Sequence, residues 1–405
     1  MKRLLLITTF ALTAVSANAQ KTTVDITVTN PLDVARSDEG VEVAVPAPAP
    51  AKGRKPHKDW SVTVGQTVLP AQWIAGKVRF TLSLNPREQV KAILMPKAAP
   101  TAPPRVLVTL NIQDGGKLEG TPATGGAIKG GTFHLRDRFT SPKDHFIHDG
   151  LIAFEGIGWE SDKVAYRLYL DERNVTDIFG KYGTGMIFPS VGHGFDDYQY
   201  PVAWGGDIFK VGPSLGVGGI GLLRNGKATQ IGPSTITGKV LANGPVTAIA
   251  GVDADAIGGG AGRIHATYAI TAGRVITEVT VRAEKVDAPL ITGLTFHAGD
   301  QRIEPSDADG QWTYIAAWGP QEHGPDPIGT AVFYRRADVT GPAVNDGQTL
   351  FVQFKSRTEA NYRFGARWTQ EGKTAVPGIR DLDGFKAWLE ATVAELNHPL
   401  VVSTR

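Results

Sequence analysis

The chain has 405 residues, a formal net charge of +2, 48 glycines, 26 prolines and no cysteine. Without cysteine it has neither a disulfide nor a thiolate nucleophile, and its interspersed charges lack the strongly basic stripe that is typical of nucleic-acid-binding proteins. The length suggests about two domains, and this glycine and proline content is typical of strands joined by turns.

The first twenty residues have the three-part pattern of a secretory signal. Basic residues at positions 2 and 3 precede an apolar run over residues 4–15, and Ala17 and Ala19 are the small residues of a cleavage site. The run is shorter than the roughly 20 residues that a membrane span needs, and no other stretch is apolar enough. We therefore expect a periplasmic or secreted protein whose signal peptide, residues 1–19, is cleaved after Ala19.

Alternation of apolar and polar residues predicts β-strands along most of the chain. The runs with this period are Thr22–Thr29, Gly40–Val45, Trp60–Val64, Lys77–Leu84, Arg105–Ile112 and Arg274–Arg282. Two segments indicate helical structure, namely a short turn over Pro31–Glu39 and an amphipathic helix over Asp383–Leu396 with Asp383 as its N-cap. The expected fold is all-β with one C-terminal helix.

Composition divides the chain into two predicted domains. Two Pro- and Ala-rich stretches, Val45–Lys58 and Lys97–Arg105, favour extended backbone and predict exposed loops. A Gly- and Thr-rich stretch over residues 112–132 indicates a domain boundary. We expect a small N-terminal β domain over residues 20–115 and a large antiparallel β-sandwich or supersandwich domain over residues 130–405.

The segment over residues 133–210 concentrates the groups that can carry chemistry, including four of the nine histidines. Within it KVAYRLYLD, residues 163–171, alternates as a strand does, so that Arg167 and Tyr169 share one face near Glu160. This face is either a functional polar patch or a solvent-facing surface with an ordinary ion pair.

His145 and His148 are three residues apart and are followed by Asp149. Such a pair can ligate a divalent metal ion together with a carboxylate, act in acid–base catalysis, or make structural hydrogen bonds in a loop. The spacing leaves all three interpretations open. The chain contains no phosphate-binding loop before a helix, no GxSxG elbow and no HExxH motif.

Residues 192–200 (GHGFDDYQY) read as a polar and aromatic loop. Aromatic rings beside carboxylates are typical of sugar sites, in which a ring stacks on the sugar and polar groups bind its hydroxyls, although Trp and Tyr are more often core residues. The candidate oligosaccharide-binding residues are Trp204, Asp207, Tyr200, Trp159 and Tyr169.

The stretch Asp144–Lys181 resembles the bacterial DUF4861 family of domains of unknown function, and the similarity extends over most of the chain. It rests on the strand pattern WESDxVAYRxYxD, on Phe179-Gly180-Lys181 and on Trp204–Asp207, which follow one another in the same order. Family members tend to be secreted proteins that accompany polysaccharide-degrading enzymes, and one related activity is similar to a dehydratase that forms an unsaturated uronate. The resemblance therefore implies a role in the degradation of uronate glycans.

The leading hypothesis is an enzyme of β-elimination that acts on oligosaccharides with uronic acid units. Arg167, or a metal ion held by His145 and His148, would neutralise the substrate carboxylate. His148 or His193 would act as the base, and Tyr198 or Tyr200 as the acid. The alternatives are a non-catalytic glycan-binding protein and a mutarotase or epimerase with a concave sheet.

Overall fold

The computed structural model describes residues 23–45, 59–193, 198–199, 201–306, 310–321, 324–374 and 378–404. The predicted signal peptide, most of the first Pro- and Ala-rich stretch, and the candidate Tyr200 lie outside the described residues. Within the described ranges the protein is all-β with one C-terminal α-helix, as the sequence predicts. No helix in these ranges is long and apolar enough to cross a membrane.

Strands follow one another along the chain with short connections. Those of the N-terminal part are β1 (Val24–Thr29), β2 (Arg36–Ala44), β3 (Asp59–Val64), β4 (Thr67–Ile74), β5 (Lys77–Leu84) and β6 (Gln89–Met95). The next are β7 (Val106–Thr109), β8 (Asn111–Asp114), β9 (Lys117–Glu119), β10 (Ala127–Lys129), β11 (Thr132–Leu135), β12 (Arg138–Thr140), β13 (Gly156–Ser161), β14 (Ala165–Tyr169), β15 (Thr176–Lys181) and β16 (Gly205–Asp207).

The remaining strands are β17 (Val217–Arg224), β18 (Lys227–Thr229), β19 (Thr235–Asn243), β20 (Thr247–Ile257), β21 (Gly262–Thr271), β22 (Ile276–Glu284), β23 (Leu290–Thr295), β24 (Gln301–Ile303), β25 (Trp312–Gln321), β26 (Gly324–Arg335), β27 (Val344–Asn345), β28 (Thr349–Gln353), β29 (Glu359–Trp368) and β30 (Val401–Thr404). The helical elements are α1 (Leu382–Asn397) and short 3₁₀ turns at Pro122–Thr124, Ala153–Glu155, Phe188–Ser190 and Arg336–Asp338.

The N-terminal strands form a seven-stranded antiparallel sheet in the order β2-β5-β4-β3-β6-β1-β30. Alternation in β5 buries Val78 and Phe80 in the core of this sheet and leaves Arg79 on its other face. The turn predicted over Pro31–Glu39 is shorter than expected, because β2 already begins at Arg36. The last strand of the chain pairs with β1, so both ends of the described chain meet in this sheet.

The larger part of the chain is a sandwich. A nine-stranded sheet, β12-β19-β20-β21-β22-β29-β26-β25-β24, packs one face against two five-stranded sheets, β16-β15-β14-β13-β7 and β18-β17-β23-β28-β27. β8 pairs with β11 and β9 with β10 in two further small ladders. β7 thus pairs with β13 of the sandwich, β8 pairs with β11, and the domain limits at residues 115 and 130 stay a prediction.

Helix α1 covers the other face of the nine-stranded sheet, where Phe385 stacks on Trp318 with ring centres 5.4 Å apart. Its N-cap is Asp381, whose side chain accepts a hydrogen bond from the backbone N–H of Gly384, and not the predicted Asp383. Asp383 lies in the first turn, where a carboxylate interacts favourably with the helix dipole. The helix itself is confirmed.

Candidate active site

Three neighbouring strands carry a buried polar cluster on the outer face of the first five-stranded sheet. β14 places Tyr166 and Leu168 in the main core, and its alternation turns Arg167 and Tyr169 to the opposite face. The register sets Arg167 opposite Asp177 of β15. Arg167 is only 3% exposed, so this face is not a solvent-facing surface with an ordinary ion pair, and its functional interpretation stays a prediction.

Arg167 is the centre of this cluster. Its Nε and Nη2 donate to Oδ2 of Asp177 at 3.1 and 2.7 Å, and Nη2 also lies 2.6 Å from Oδ2 of Asp207. The Tyr169 hydroxyl accepts from Nη2 at 2.6 Å, and the carbonyl of Phe154 accepts from Nη1 at 3.1 Å. Because the guanidinium already binds the carboxyl groups of Asp177 and Asp207, it does not fit the expected role of neutralising a substrate carboxylate. Arg167 instead positions the groups around it.

Two buried carboxyl groups, those of Asp177 and Asp207, share the guanidinium of Arg167, and Asp207 therefore holds a proton more tightly than usual. Burial, together with the charge of Asp177, raises the pKa of Asp207 to about 8 against the opposing effect of Arg167. Burial also raises the pKa of the Tyr169 hydroxyl well above its usual value. Two proton-carrying groups therefore lie beneath the site, and both are too buried to hold a sugar hydroxyl as expected.

A second group of charges connects the buried cluster to solvent. Oε1 of Glu155 lies 2.8 Å from Nδ1 of His148 and 3.3 Å from Nη2 of Arg173, while Oε2 lies 3.7 Å from Nη1 of Arg167. Burial acts to raise the pKa of Glu155, but these cations lower it to about 2. The hydrogen bond to Glu155 in turn raises the pKa of His148, whose side chain is 67% exposed.

Backbone strain marks the same place. Phe154 and Glu155 both have left-handed backbone, with φ of 42° and 61°, and His148 has φ of 67°. Such conformations are costly for large side chains and often occur at functional sites. Gly192 packs against this turn, and a Cβ at this position would come within 2.3 Å of the Phe154 nitrogen. The turn aims the Phe154 carbonyl and the Glu155 carboxylate at Arg167.

Aromatic side chains border the cluster. The Tyr198 hydroxyl lies 3.5 Å from Nη1 of Arg167, and burial raises its pKa to about 12. The rings of Tyr198 and Trp204 lie 5.8 and 6.3 Å from the ring of Phe179, and both residues are half-buried. Tyr198 therefore keeps its proton at neutral pH beside a permanent cation, and Trp204 offers an aromatic surface next to it.

His193 lies on the rim of the site and is exposed. Its Nε2 is 2.7 Å from Nδ2 of Asn111, and its ring stacks on Phe133 with the centres 4.9 Å apart. The preceding residue, Gly192, contacts Phe154. His148, Tyr198 and Arg167 thus lie around Glu155, and His193 follows Gly192 at the edge of the same turn.

Other candidates lie elsewhere. His145 is 5% exposed and binds Asp149 through Nδ1 at 2.7 Å, so its ring and that of His148 face different carboxylates and do not form the expected metal-binding pair. Among the described residues no group of three or more His, Cys, Asp or Glu side chains can hold a metal ion. Glu160 binds Lys181 at 2.9 Å and not Arg167.

Trp159 is a core residue and not a sugar-binding residue. It is fully buried between the sheets, stacks on Tyr268 with ring centres 4.8 Å apart, and donates to Oγ1 of Thr277 at 2.9 Å. Its register partner is Tyr166, which lies on the core face of β14. The alternation of β13 thus turns Trp159 to the core and away from the face that carries Arg167.

Several residues of the site were not among the candidates. Asp177 follows the period of DIFGK, which sets it in step with Phe179 on one face, and this signal is readable in the sequence. Glu155 and Arg173 lie in turns without periodicity, and Asn111 and Phe133 come from distant strands. No local pattern predicts that these four meet the cluster.

Residues 28–402 match the family described as "Domain of unknown function (DUF4861)". No curated protein matches the chain. Among solved structures, a protein in the glycosyl hydrolase family 38 from Enterococcus faecalis is similar with a TM-score of 0.45 and 9% identity, over 95% of this chain and 47% of that chain. An alpha-mannosidase from Enterococcus faecalis V583 gives a TM-score of 0.43 and 9% identity, over 95% and 46%. The chain thus spans about half the length of these structures, and such a likeness assigns no activity to it.

Proposed function

The chain belongs to the DUF4861 family, whose description assigns no activity, and we propose that it is a carbohydrate-active enzyme. Its reaction is a β-elimination that removes water or a sugar from oligosaccharides with uronic acid units. The substrate is thus the proposed partner, and the pattern of residues 1–19 supports a place of action in the periplasm or outside the cell.

One observation carries this proposal, namely that an acid–base set converges on Arg167. Nη1 of Arg167 lies 3.5 Å from the Tyr198 hydroxyl and 3.7 Å from Oε2 of Glu155, whose other oxygen binds His148. A protonated phenol therefore lies beside the buried guanidinium, and an imidazole open to solvent is linked to the same guanidinium through Glu155. A general acid and a general base held by one polar network are what an elimination requires.

In the proposed step the neutral imidazole of His148 takes the proton from C5 of the uronate. The electron pair of the broken C5–H bond forms the double bond between C4 and C5, and the C4–O bond breaks. The leaving oxygen takes the proton of the Tyr198 hydroxyl, so that water or a sugar departs. His193, exposed on the rim, is the second candidate for the base.

The groups behind the acid and the base support both transfers. The charge of Glu155 stabilises the imidazolium that His148 becomes, which is why it raises the pKa of His148. The guanidinium of Arg167 lowers the energy of the negative charge that develops on the Tyr198 oxygen. Trp204, half-buried beside Tyr198, is the proposed stacking surface for a neighbouring sugar ring.

The test is ultraviolet absorbance of the unsaturated product, with a panel of uronate oligosaccharides and neutral oligosaccharides of equal length. We expect absorbance to rise with a uronate substrate, and we expect Tyr198→Phe and His148→Ala each to slow the reaction about 100-fold to 10,000-fold. His265→Ala is the matched control, because His265 is another solvent-accessible, half-buried histidine with a carboxylate partner, Asp253, on a different sheet. It should react like the wild type.

Full activity of both His148→Ala and His193→Ala would refute the assignment of the base. Binding of a uronate oligosaccharide without any product would favour the non-catalytic glycan-binding alternative. A saturated product with changed stereochemistry would favour the mutarotase or epimerase alternative.

A further inference from the structure

A groove separates the N-terminal sheet from the face of the nine-stranded sheet that carries α1. Its cavity volume is about 440 Å³, which lies within the roughly 300–1,000 Å³ of typical small-molecule sites. One wall contains Glu42 and Arg79 of the N-terminal sheet, and the floor contains Glu278, Arg363 and other residues of the nine-stranded sheet. The proposed elimination reaction uses none of these side chains.

The floor of the groove is a continuous row across four strands. The register sets Glu278 of β22 opposite Arg363 of β29, and Arg363 opposite Phe333 of β26. Two residues further along β26, Arg335 lies opposite Trp312 of β25. Because residues opposite each other share a face, an indole and two guanidinium groups are exposed to the same groove.

Some guanidinium N–H groups of the groove have no acceptor among the described residues. The guanidinium carbons of Arg335 and Arg363 lie 5.2 and 5.0 Å from the ring centre of Trp312. Arg363 pairs with Glu278 at 3.0 Å, whereas Arg335 has no carboxylate partner among the described residues. Nε of Arg79 is buried and has no hydrogen-bond partner among the residues that the structure describes. A buried donor without an acceptor is costly, which points to an oxygen atom of a ligand.

The charges of the lining residues favour an anion. The arginines that line the groove are Arg36, Arg79, Arg274, Arg335 and Arg363, and the acidic residues are Glu39, Glu42, Glu278 and Glu395. Each of the four glutamates already binds at least one of these arginines. Arg335 is therefore the lining arginine whose charge no described carboxylate compensates.

We propose that this groove is a second binding site, which holds a carboxylated sugar chain between Arg335, Arg79 and Trp312. Guanidinium groups bind carboxylates through paired charge-assisted hydrogen bonds, and an indole offers an apolar surface to a sugar ring. The choice of a sugar acid over other carboxylates rests on the proposed function. The site adds binding contacts for a long substrate and takes no part in bond breaking.

The groove and the Arg167 cluster lie on opposite sides of the sandwich. Thr277 of β22 points to the core, where it binds Trp159, and the next residue, Glu278, points to the groove. The nine-stranded sheet and the five-stranded sheet of the cluster both lie between the two sites, and stacked sheets are about 10 Å apart. A substitution in the groove therefore touches no group of the cluster.

The experiment is calorimetric titration with an oligogalacturonate of defined length, in the Tyr198→Phe background so that turnover does not consume the probe. A neutral cello-oligosaccharide of the same length is the ligand control. Arg282→Gln is the protein control, since Arg282 lies on the same face of β22 but does not line the groove. We expect Arg335→Gln to weaken the groove's binding about tenfold or more, and Arg282→Gln to leave it unchanged.

Equal affinity of Tyr198→Phe and of Tyr198→Phe with Arg335→Gln would overturn the groove proposal, and so would equal affinity for the acidic and the neutral oligosaccharide. This outcome is separate from the failure of the proposed function, which is read from product formation by the wild type. Loss of binding in Arg335→Gln without any product from the wild type would leave the groove standing and refute the elimination reaction.

Discussion

Arg167 binds side chains from four separate parts of the chain. Because Arg167 is itself buried, it needs these partners to compensate its charge. A buried guanidinium is stable only when carboxylates and hydrogen-bond acceptors surround it, and removal of one partner leaves an uncompensated charge. Asp177, Asp207 and Tyr169 meet this requirement at distances of 2.6 to 3.1 Å. The arrangement fixes the one guanidinium nitrogen, Nη1, that reaches Tyr198 and Glu155.

The pair of His148 and Glu155 makes a prediction about the pH dependence of the reaction. The hydrogen bond to Glu155 raises the pKa of His148, so Glu155→Gln removes a negative partner that stabilises the imidazolium. We expect the limb of the kcat/KM profile that reports His148 to move to lower pH in Glu155→Gln. A profile that keeps the wild-type position would exclude His148 as the titrating group.

Asp207 makes a prediction about stability. Its folded pKa of about 8 lies above the unfolded value of about 3.9, so the folded state holds the proton more tightly. The contribution of this group is fully present below about pH 4 and is lost as the pH rises through about 8. Asp207→Asn removes this titration.

Urea denaturation at a series of pH values on both sides of that window measures the effect. The free energy of unfolding of the wild type should fall relative to that of Asp207→Asn as the pH rises, because the unfolded state binds fewer protons. Other groups titrate in the same range, and the difference between the two proteins removes their contribution. A constant difference across the series would contradict the assignment.

At the scale of elements, period-two patterns predict which side chains share a face. The pattern placed Arg167 and Tyr169 together, and the same rule applied to DIFGK would have added Asp177. Alternation does not reveal what each face of the sheet packs against. The five-stranded sheet is covered on both faces, so Trp159 on one side and Arg167 on the other are equally buried.

Contacts that come from turns were beyond prediction. Glu155 reaches Arg167 because Phe154 and Glu155 adopt left-handed backbone, and neither residue type favours that conformation. His145 and His148 are a second case in which the conformation of a turn decides the contacts. Spacing alone brings His145 and His148 near each other, but the turn sends their rings to Asp149 and Glu155.

Helix α1 offers a matched pair of substitutions. Asp381 accepts a hydrogen bond from the backbone N–H of Gly384, whereas Asp383 lies two residues further along, in the first turn of the helix. We expect Asp381→Ala to lower the free energy of unfolding by about 0.5–2 kcal/mol, the usual cost of a lost N-cap. Denaturant unfolding of both variants checks this, and a larger loss in Asp383→Ala would restore the sequence-based N-cap.

At the scale of the whole molecule, arginines join the N-terminal sheet to the sandwich. Arg105 binds Asp38 of the sheet at 2.9 Å and Asp162 of the sandwich at 2.7 Å. Arg36 is buried and donates to the carbonyls of Glu395 and His398 near the end of α1. These contacts hold the two units on either side of the groove and involve no residue of the Arg167 cluster.

The central claim is that the cluster around Arg167 carries out an elimination, and the most direct measurement is product analysis after reaction of a uronate oligosaccharide in heavy water. The account predicts an unsaturated terminal uronate with a double bond between C4 and C5, formed by the wild type and much more slowly by Tyr198→Phe. A saturated product with deuterium at C5 would contradict it, because the proton would then have been removed and replaced without loss of the leaving group.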